Sequence, residues 1–239
     1  LGTSLAKVGV VRADPSRVPL CFQPVHPREQ SSAFAALAPD YRVLISPTSI
    51  VIIPHGEPVR QAGTALRPHR LALRFVGGNA CALVRGGDPL PGKVHYLIGS
   101  NQEEWVVNLP TYSRVRYSDV YPGVDVVFHG SAEDLEFDFV LAPGADPSPL
   151  RFAVDGGARM RVDKQGDLQV TVGRDSVRLV KPLIYQGVGE HLREVSGGYR
   201  LRAGKTVGFR LAEYDRRKEL VIDPVVKYST YLGGGNFPS

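Results

Sequence analysis

Apolar and polar side chains alternate with a period of two along much of this chain, most densely between Val107 and Val140. Tyr112, Arg114, Arg116 and Ser118 alternate with Ser113, Val115, Tyr117 and Asp119, and Val124, Val126 and Phe128 alternate with Asp125, Val127 and His129. That repeat belongs to an extended strand, whose successive residues point to opposite faces. Tyr121-Pro122-Gly123 separates the two runs. Its proline fixes φ and its glycine accepts a positive φ, which suits a tight turn. Further on, Leu135, Phe137 and Phe139 fall on one face and Glu136 and Asp138 on the other, before Pro143-Gly144. The pattern predicts a meander: strands over 112–119, 124–129 and 135–141, with turns at 121–123 and 130–134.

The same cadence continues in both directions. Tyr41 to Ile45 and Ser49 to Ile53 form a hairpin pattern around Pro47, and Leu71, Leu73 and Phe75 alternate up to Gly77-Gly78-Asn79. Ala80 to Val84 predicts a short strand, Gly86 to Gly92 (GGDPLPG) a strong turn, and Asn101 to Trp105 a turn that seats Trp105 against the sheet. Ser32 to Leu37 fits a single helical turn. Downstream, apolar runs at 150–154, 160–162, 168–172, 177–180, 183–185, 195–201, 207–211 and 220–222 recur, and Lys164 to Asp167 makes a turn. Such spacing predicts an all-β fold with little helix, an antiparallel β-sandwich in two subdomains. The expected division is a Pro-rich extended opening segment at 1–40, a β subdomain at 41–109, and a sandwich subdomain at 110–225 containing the meander. Residues 226–239 would begin a repeat region or linker.

Composition reinforces this. The 239 residues include 26 Gly and 19 Pro, which leave little room for long helices, while 43% hydrophobic and 22% charged residues describe an ordinary globular chain. The net charge of +5 comes from scattered Lys and Arg, with no basic run interleaved with aromatics, which argues against a nucleic-acid partner. Arg216-Arg217-Lys218, the longest basic cluster, reads as a solvated turn. No apolar stretch has membrane-spanning length.

Candidate chemistry is sparse. Asp125, Glu133, Asp134, Glu136 and Asp138 are the densest carboxylates, and alternation puts Asp134, Glu136 and Asp138 on one face. Paired carboxylates about 5–10 Å apart serve glycoside hydrolysis; several such oxygens also suit a hard cation. The plainer reading is a solvated strand face balanced by Arg114 and Arg116. Tyr121, with other tyrosines at strand ends, can stack on a sugar or pack half-buried. His26, His55, His69, His95, His129 and His191 have no zinc-ligand spacing, and no G-x-S-x-G is present, so no metal, cofactor or nucleophile is expected. Cys21 and Cys81 can form a disulfide in an oxidising compartment or remain buried thiols. Two function classes follow from the residues: a non-catalytic module, or a carbohydrate-active or glycan-binding domain using the Glu136/Asp138 face.

Several long segments carry a resemblance. DPLPGKVHYLIGSNQEEW (88–105), YSRVRYSDVYPGVDVVFHG (112–130), LEFDFVLAPGADPSPLRF (135–152), GDLQV (166–170) and VGFRLAEYDRRKELVIDPVVKYSTYLGGG (207–235) resemble, in the same order, the N-terminal region of bacterial SBBP-repeat proteins, named for a seven-bladed β-propeller repeat. The resemblance implies an exported protein, extracellular or at the cell surface, in which this β domain precedes and partners C-terminal propeller repeats. It implies no enzymatic activity. Leu20 to His26 departs from that family's usual N-terminal patch. A cell-surface glycan or protein is a further expected class of partner, and an exposed sheet edge would favour homo-oligomers.

Overall fold

The computed structural model describes residues 18–25, 32–55, 70–97, 100–131, 134–155, 158–172, 175–203 and 205–230. His26, His69, Glu133 and the glycine run at 233–235 lie outside the described residues. The fold is all-β, and every strand pairing in it is antiparallel.

Strand β1 (Phe22–Pro24) pairs with β2 (Phe34–Leu37), and β2 with β3 (Tyr41–Ser46). The helical turn expected over 32–37 is therefore strand, because ladders on both sides of β2 outweigh the helix preference of Ala35, Ala36 and Leu37. The expected hairpin is present: β3 and β4 (Ser49–Pro54) flank Pro47-Thr48, and β4 pairs on its other side with β5 (Leu71–Phe75).

Strand β6 (Leu83–Tyr96) runs straight through the predicted turn at Gly86 to Gly92 and pairs with β7 (Val106–Tyr121). It is an edge strand, so Pro89 and Pro91 are tolerated, and the irregularity they introduce appears as a register shift between Leu90 and Lys93. Asp88 takes up a positive φ of 51°. A short 3-10 turn at Gln102–Glu104, capped by the Asn101 side chain, precedes half-buried Trp105. β7 crosses Leu109-Pro110 without interruption.

The predicted meander is the centre of the fold. β7, β8 (Val124–Gly130) and β9 (Leu135–Leu141) pair in sequence, with Gly123 at φ 70° in the first turn. In the second, Gly130 has φ 139°, and a Cβ there would lie 2.2 Å from the Asp134 carbonyl oxygen, so the position requires glycine.

Ten strands follow: β10 (Arg151–Val154), β11 (Arg159–Val162), β12 (Leu168–Val172), β13 (Asp175–Leu179), β14 (Leu183–Gln186), β15 (Arg193–Glu194), β16 (Gly197–Arg202), β17 (Thr206–Leu211), β18 (Leu220–Asp223) and β19 (Val225–Thr230). β10 joins β5 to β17, while β9 receives β18 and β19 one after the other along its free edge. β19 continues to β13, β12 and β11, so residues 225–230 belong to the sheet. The strands curl into a nearly closed, barrel-like sheet. At the remaining seam β11 and β16 come close without a ladder between them.

One hydrophobic core fills the interior, drawing Ile45, Ile52 and Leu73 together with Val126, Phe137, Val170 and Ile222. Aromatic rings run through it in contact: Tyr117 with Phe128 (5.8 Å between centroids), Phe128 with Phe137 (6.1 Å), Phe137 with Phe139 (5.8 Å), and Phe139 with both Phe75 (5.6 Å) and Phe209 (5.5 Å). Buried tyrosine hydroxyls are satisfied by backbone. Tyr117 donates to the carbonyls of Ser32 and Ile45, Tyr121 to those of Arg151 and Val76, and Tyr199 to that of Val180.

Candidate functional site

The outer face of the meander is where the sequence placed its carboxylates. In an antiparallel ladder, residues directly opposite one another point to the same side. The register sets His129 against Glu136 and Val127 against Asp138 across β8 and β9; Ile222 opposite Phe139 puts Asp223 of β18 next to Asp138. His129, Glu136, Asp138 and Asp223 thus form one row across three strands.

His129 ties two members of the row together. His129 Nε2 lies 2.9 Å from Asp138 Oδ2, and Nδ1 lies 3.4 Å from Glu136 Oε2. Asp223 stands beside Asp138, and the Oδ1 atoms of both are buried without a hydrogen-bond partner among the described residues. Burial is the main cause that pushes the pKa of Asp223 up to about 8, and the charge of Asp138 acts in the same direction. For His129, burial disfavours the imidazolium, but the hydrogen bond to Asp138 and the charges of Asp138, Glu136 and Asp223 outweigh it and raise the pKa. Side-chain exposure declines from Glu136 (25%) through His129 (18%) to Asp138 (12%), so water reaches the row from the Glu136 end.

Neighbouring groups close the site. Tyr185 of β14 is buried next to it, and burial together with Asp138 and Asp223 raises its pKa. Val127, Val140 and Val221 on the same outer face are also buried. Asp138 is only 8% exposed, which corrects the expectation that Glu136 and Asp138 occupy a solvated strand face. Nor do the arginines balance them: Arg116 binds Asp125 (Nε to Oδ2, 2.6 Å), and Arg114 lies 3.6 Å from Asp88.

Of the residues singled out from the sequence, only Glu136 and Asp138 come together. Asp134 precedes β9 and pairs with Lys227 at 3.5 Å. Asp125 also accepts the Asp119 backbone N–H at 2.8 Å, holding the irregularity in β7 where Asp119 has φ 55°. Tyr121 is a core residue. Cys21 leads into β1 and Cys81 stands exposed in the turn before β6, and both are free thiols. His129 and Asp223 were not among the candidates. His129 carries on the alternation of the strand predicted at 124–129, whereas Asp223 falls just past the apolar run at 220–222, and nothing local ties residue 129 to residue 223. Among the described residues no group of three or more His, Cys, Asp or Glu is placed to hold a metal ion, and no helix is long and apolar enough to cross a membrane.

Chemically the row places one imidazole and three carboxyl groups side by side across three strands, with His129 bonded to Asp138 and paired with Glu136. No curated protein and no solved structure matches the chain. Residues 23–225, from β1 to the start of β19, match the model of the DUF7948 domain of unknown function, and the chain belongs to that family.

Proposed function

We propose that this chain is a non-catalytic β module of an exported bacterial protein, presenting or capping C-terminal propeller repeats at the cell surface. The observation that carries this reading is the state of its most reactive-looking groups. His129 is bonded to Asp138 and paired with Glu136, and Asp223 is buried beside Asp138, on the outside of a packed sheet. A glycosidase needs one carboxyl aimed at a leaving oxygen and the other at the sugar carbon or a water. Here Asp138 is held between His129 and Asp223, an arrangement that suits stability and rigidity. The ordered resemblance of the segments at 88–105, 112–130, 135–152 and 207–235 to SBBP-repeat proteins supports the exported context. Within the module the nearly closed sheet works as a sandwich, supported by the rings of Phe75 and Phe209, which meet Phe139 from other strands.

The test is protease shaving of intact cells that express the natural protein. Loss of this module from whole cells, with a cytoplasmic marker spared, is the expected result. Protection equal to that of the marker overturns the reading.

A further inference from the structure

We propose that the cleft bordered by Arg202, Arg216 and Tyr214 binds a small organic monocarboxylate. The cleft is built from β16, β17 and the connection that follows β17, and has a volume of about 520 Å³. Its lining is mostly polar, with Phe209 and Leu211 as apolar contacts at one side.

The polar groups lack partners in the fold. Arg202 Nε and the Tyr214 hydroxyl are buried and without a hydrogen bond. Neither Arg202 nor Arg216 takes part in an ion pair among the described residues, whereas Arg114, Arg116, Arg178 and Arg217 all do. A buried donor without an acceptor is costly and uncommon in a native protein, which makes the pair a place where an incoming oxygen is rewarded.

Arg202 occupies space left open by a glycine. A Cβ on Gly208 would lie 3.0 Å from Arg202 Nε and 3.2 Å from the Leu150 carbonyl oxygen. The guanidinium therefore lies over the bare backbone of β17, where a larger residue would crowd it. A guanidinium fork suits carboxylate recognition.

Charge selects the valence. Arg202 and Arg216 contribute two positive charges and Glu213 one negative, leaving a lining of one net positive charge. Asp146, whose pKa is lowered first by its hydrogen bonds to Ser148 and also by the charge of Arg216, lies outside the lining. A monoanion is matched by this lining, and a dianion is not. Contact with Phe209 and Leu211 favours an acid that carries a hydrocarbon body over a bare anion.

The experiment titrates benzoate, acetate and inorganic phosphate into the isotope-labelled chain and follows backbone amide shifts. Saturable shifts with benzoate at Arg202, Phe209, Leu211 and Tyr214 are expected, with acetate weaker and phosphate weaker still. Arg202→Gln and Gly208→Ala should each weaken benzoate about tenfold or more, while Arg217→Gln leaves it unchanged. Tyr214→Phe separates binding from structure: it should lower affinity while leaving the free protein at least as stable, since it removes an unpartnered hydroxyl. Should Arg202→Gln fail to fold, Arg202→Lys makes the same comparison, keeping the charge and losing the fork. Shifts that never saturate, equal affinity in the Arg202 variant, or phosphate binding as tightly as benzoate would each overturn the proposal.

Discussion

Asp223 and Asp138 stand side by side on β18 and β9, and burial together with the charge of Asp138 makes Asp223 keep its proton to higher pH in the folded protein. Asp223 holds it more tightly folded than unfolded. Folding therefore takes up a proton across the window from the ordinary carboxylate range to about 8. Stability is highest on the acid side of that window and falls as pH rises through it, by about 1.4 kcal/mol per pH unit while a full proton separates the two states. Asp223→Asn keeps a hydrogen-bond donor without needing the proton. Urea unfolding at about pH 5 and about pH 8 should show a shallower pH dependence for the variant and greater stability than the parent at the upper pH. An unchanged slope refutes the assignment.

His129 stands between the Glu136 and Asp138 carboxyls and, when protonated, favours them. Its pKa is raised on folding, so its contribution is complete below the ordinary imidazole range and is lost as pH climbs through the folded value. His129→Gln should cost about 3–5 kcal/mol near neutral pH, because it strands two carboxylates on a covered face. Adding Asp138→Asn should recover part of that loss. A double variant no more stable than the single one would mean that charge is not what His129 provides.

The Gln186 amide ties down the connection before β18. Its Nε2 donates to the carbonyls of Asp215 and Glu219, and its Oε1 accepts the Asp215 N–H at 3.0 Å. Gln186→Leu should destabilise by about 1–3 kcal/mol through the groups left without partners. Hydrogen exchange at the Asp215 amide should speed up at the same time. If that amide keeps its protection, the clamp lies elsewhere.

At the centre of the ring array Phe139 touches Phe75, Phe137 and Phe209. Phe139→Ala should cost about 3–5 kcal/mol and Phe139→Leu clearly less, as chemical denaturation will read directly. Similar losses for both would show that ring contacts, rather than filled volume, dominate there.

The meander was legible because both of its determinants are local: alternation within each strand and a glycine at each reversal. Tyr121-Pro122-Gly123 and the Leu135, Phe137, Phe139 triplet need no distant partner to be read. The course of β6 was not legible, since Gly86 to Gly92 has turn chemistry throughout and is held extended only by β7 running alongside. Ser32 to Leu37 was misread for the same reason, with β1 and β3 deciding its conformation. At the candidate site, Glu136 and Asp138 could be found from alternation alone. That they are covered, and set beside His129 and Asp223, depends on β18 docking on β9, which no local pattern encodes.

The seam between β11 and β16 sets where the shell is weakest. A closed barrel has no terminal strand, whereas among the described residues β11 ladders only with β12 and β16 only with β17, leaving one flank of each outside a ladder. Opening can start at either border and spread inward one strand at a time, so amide protons there trade with solvent first. The meander, on the far side of the ring from both borders, is then the last part of the wall to come apart.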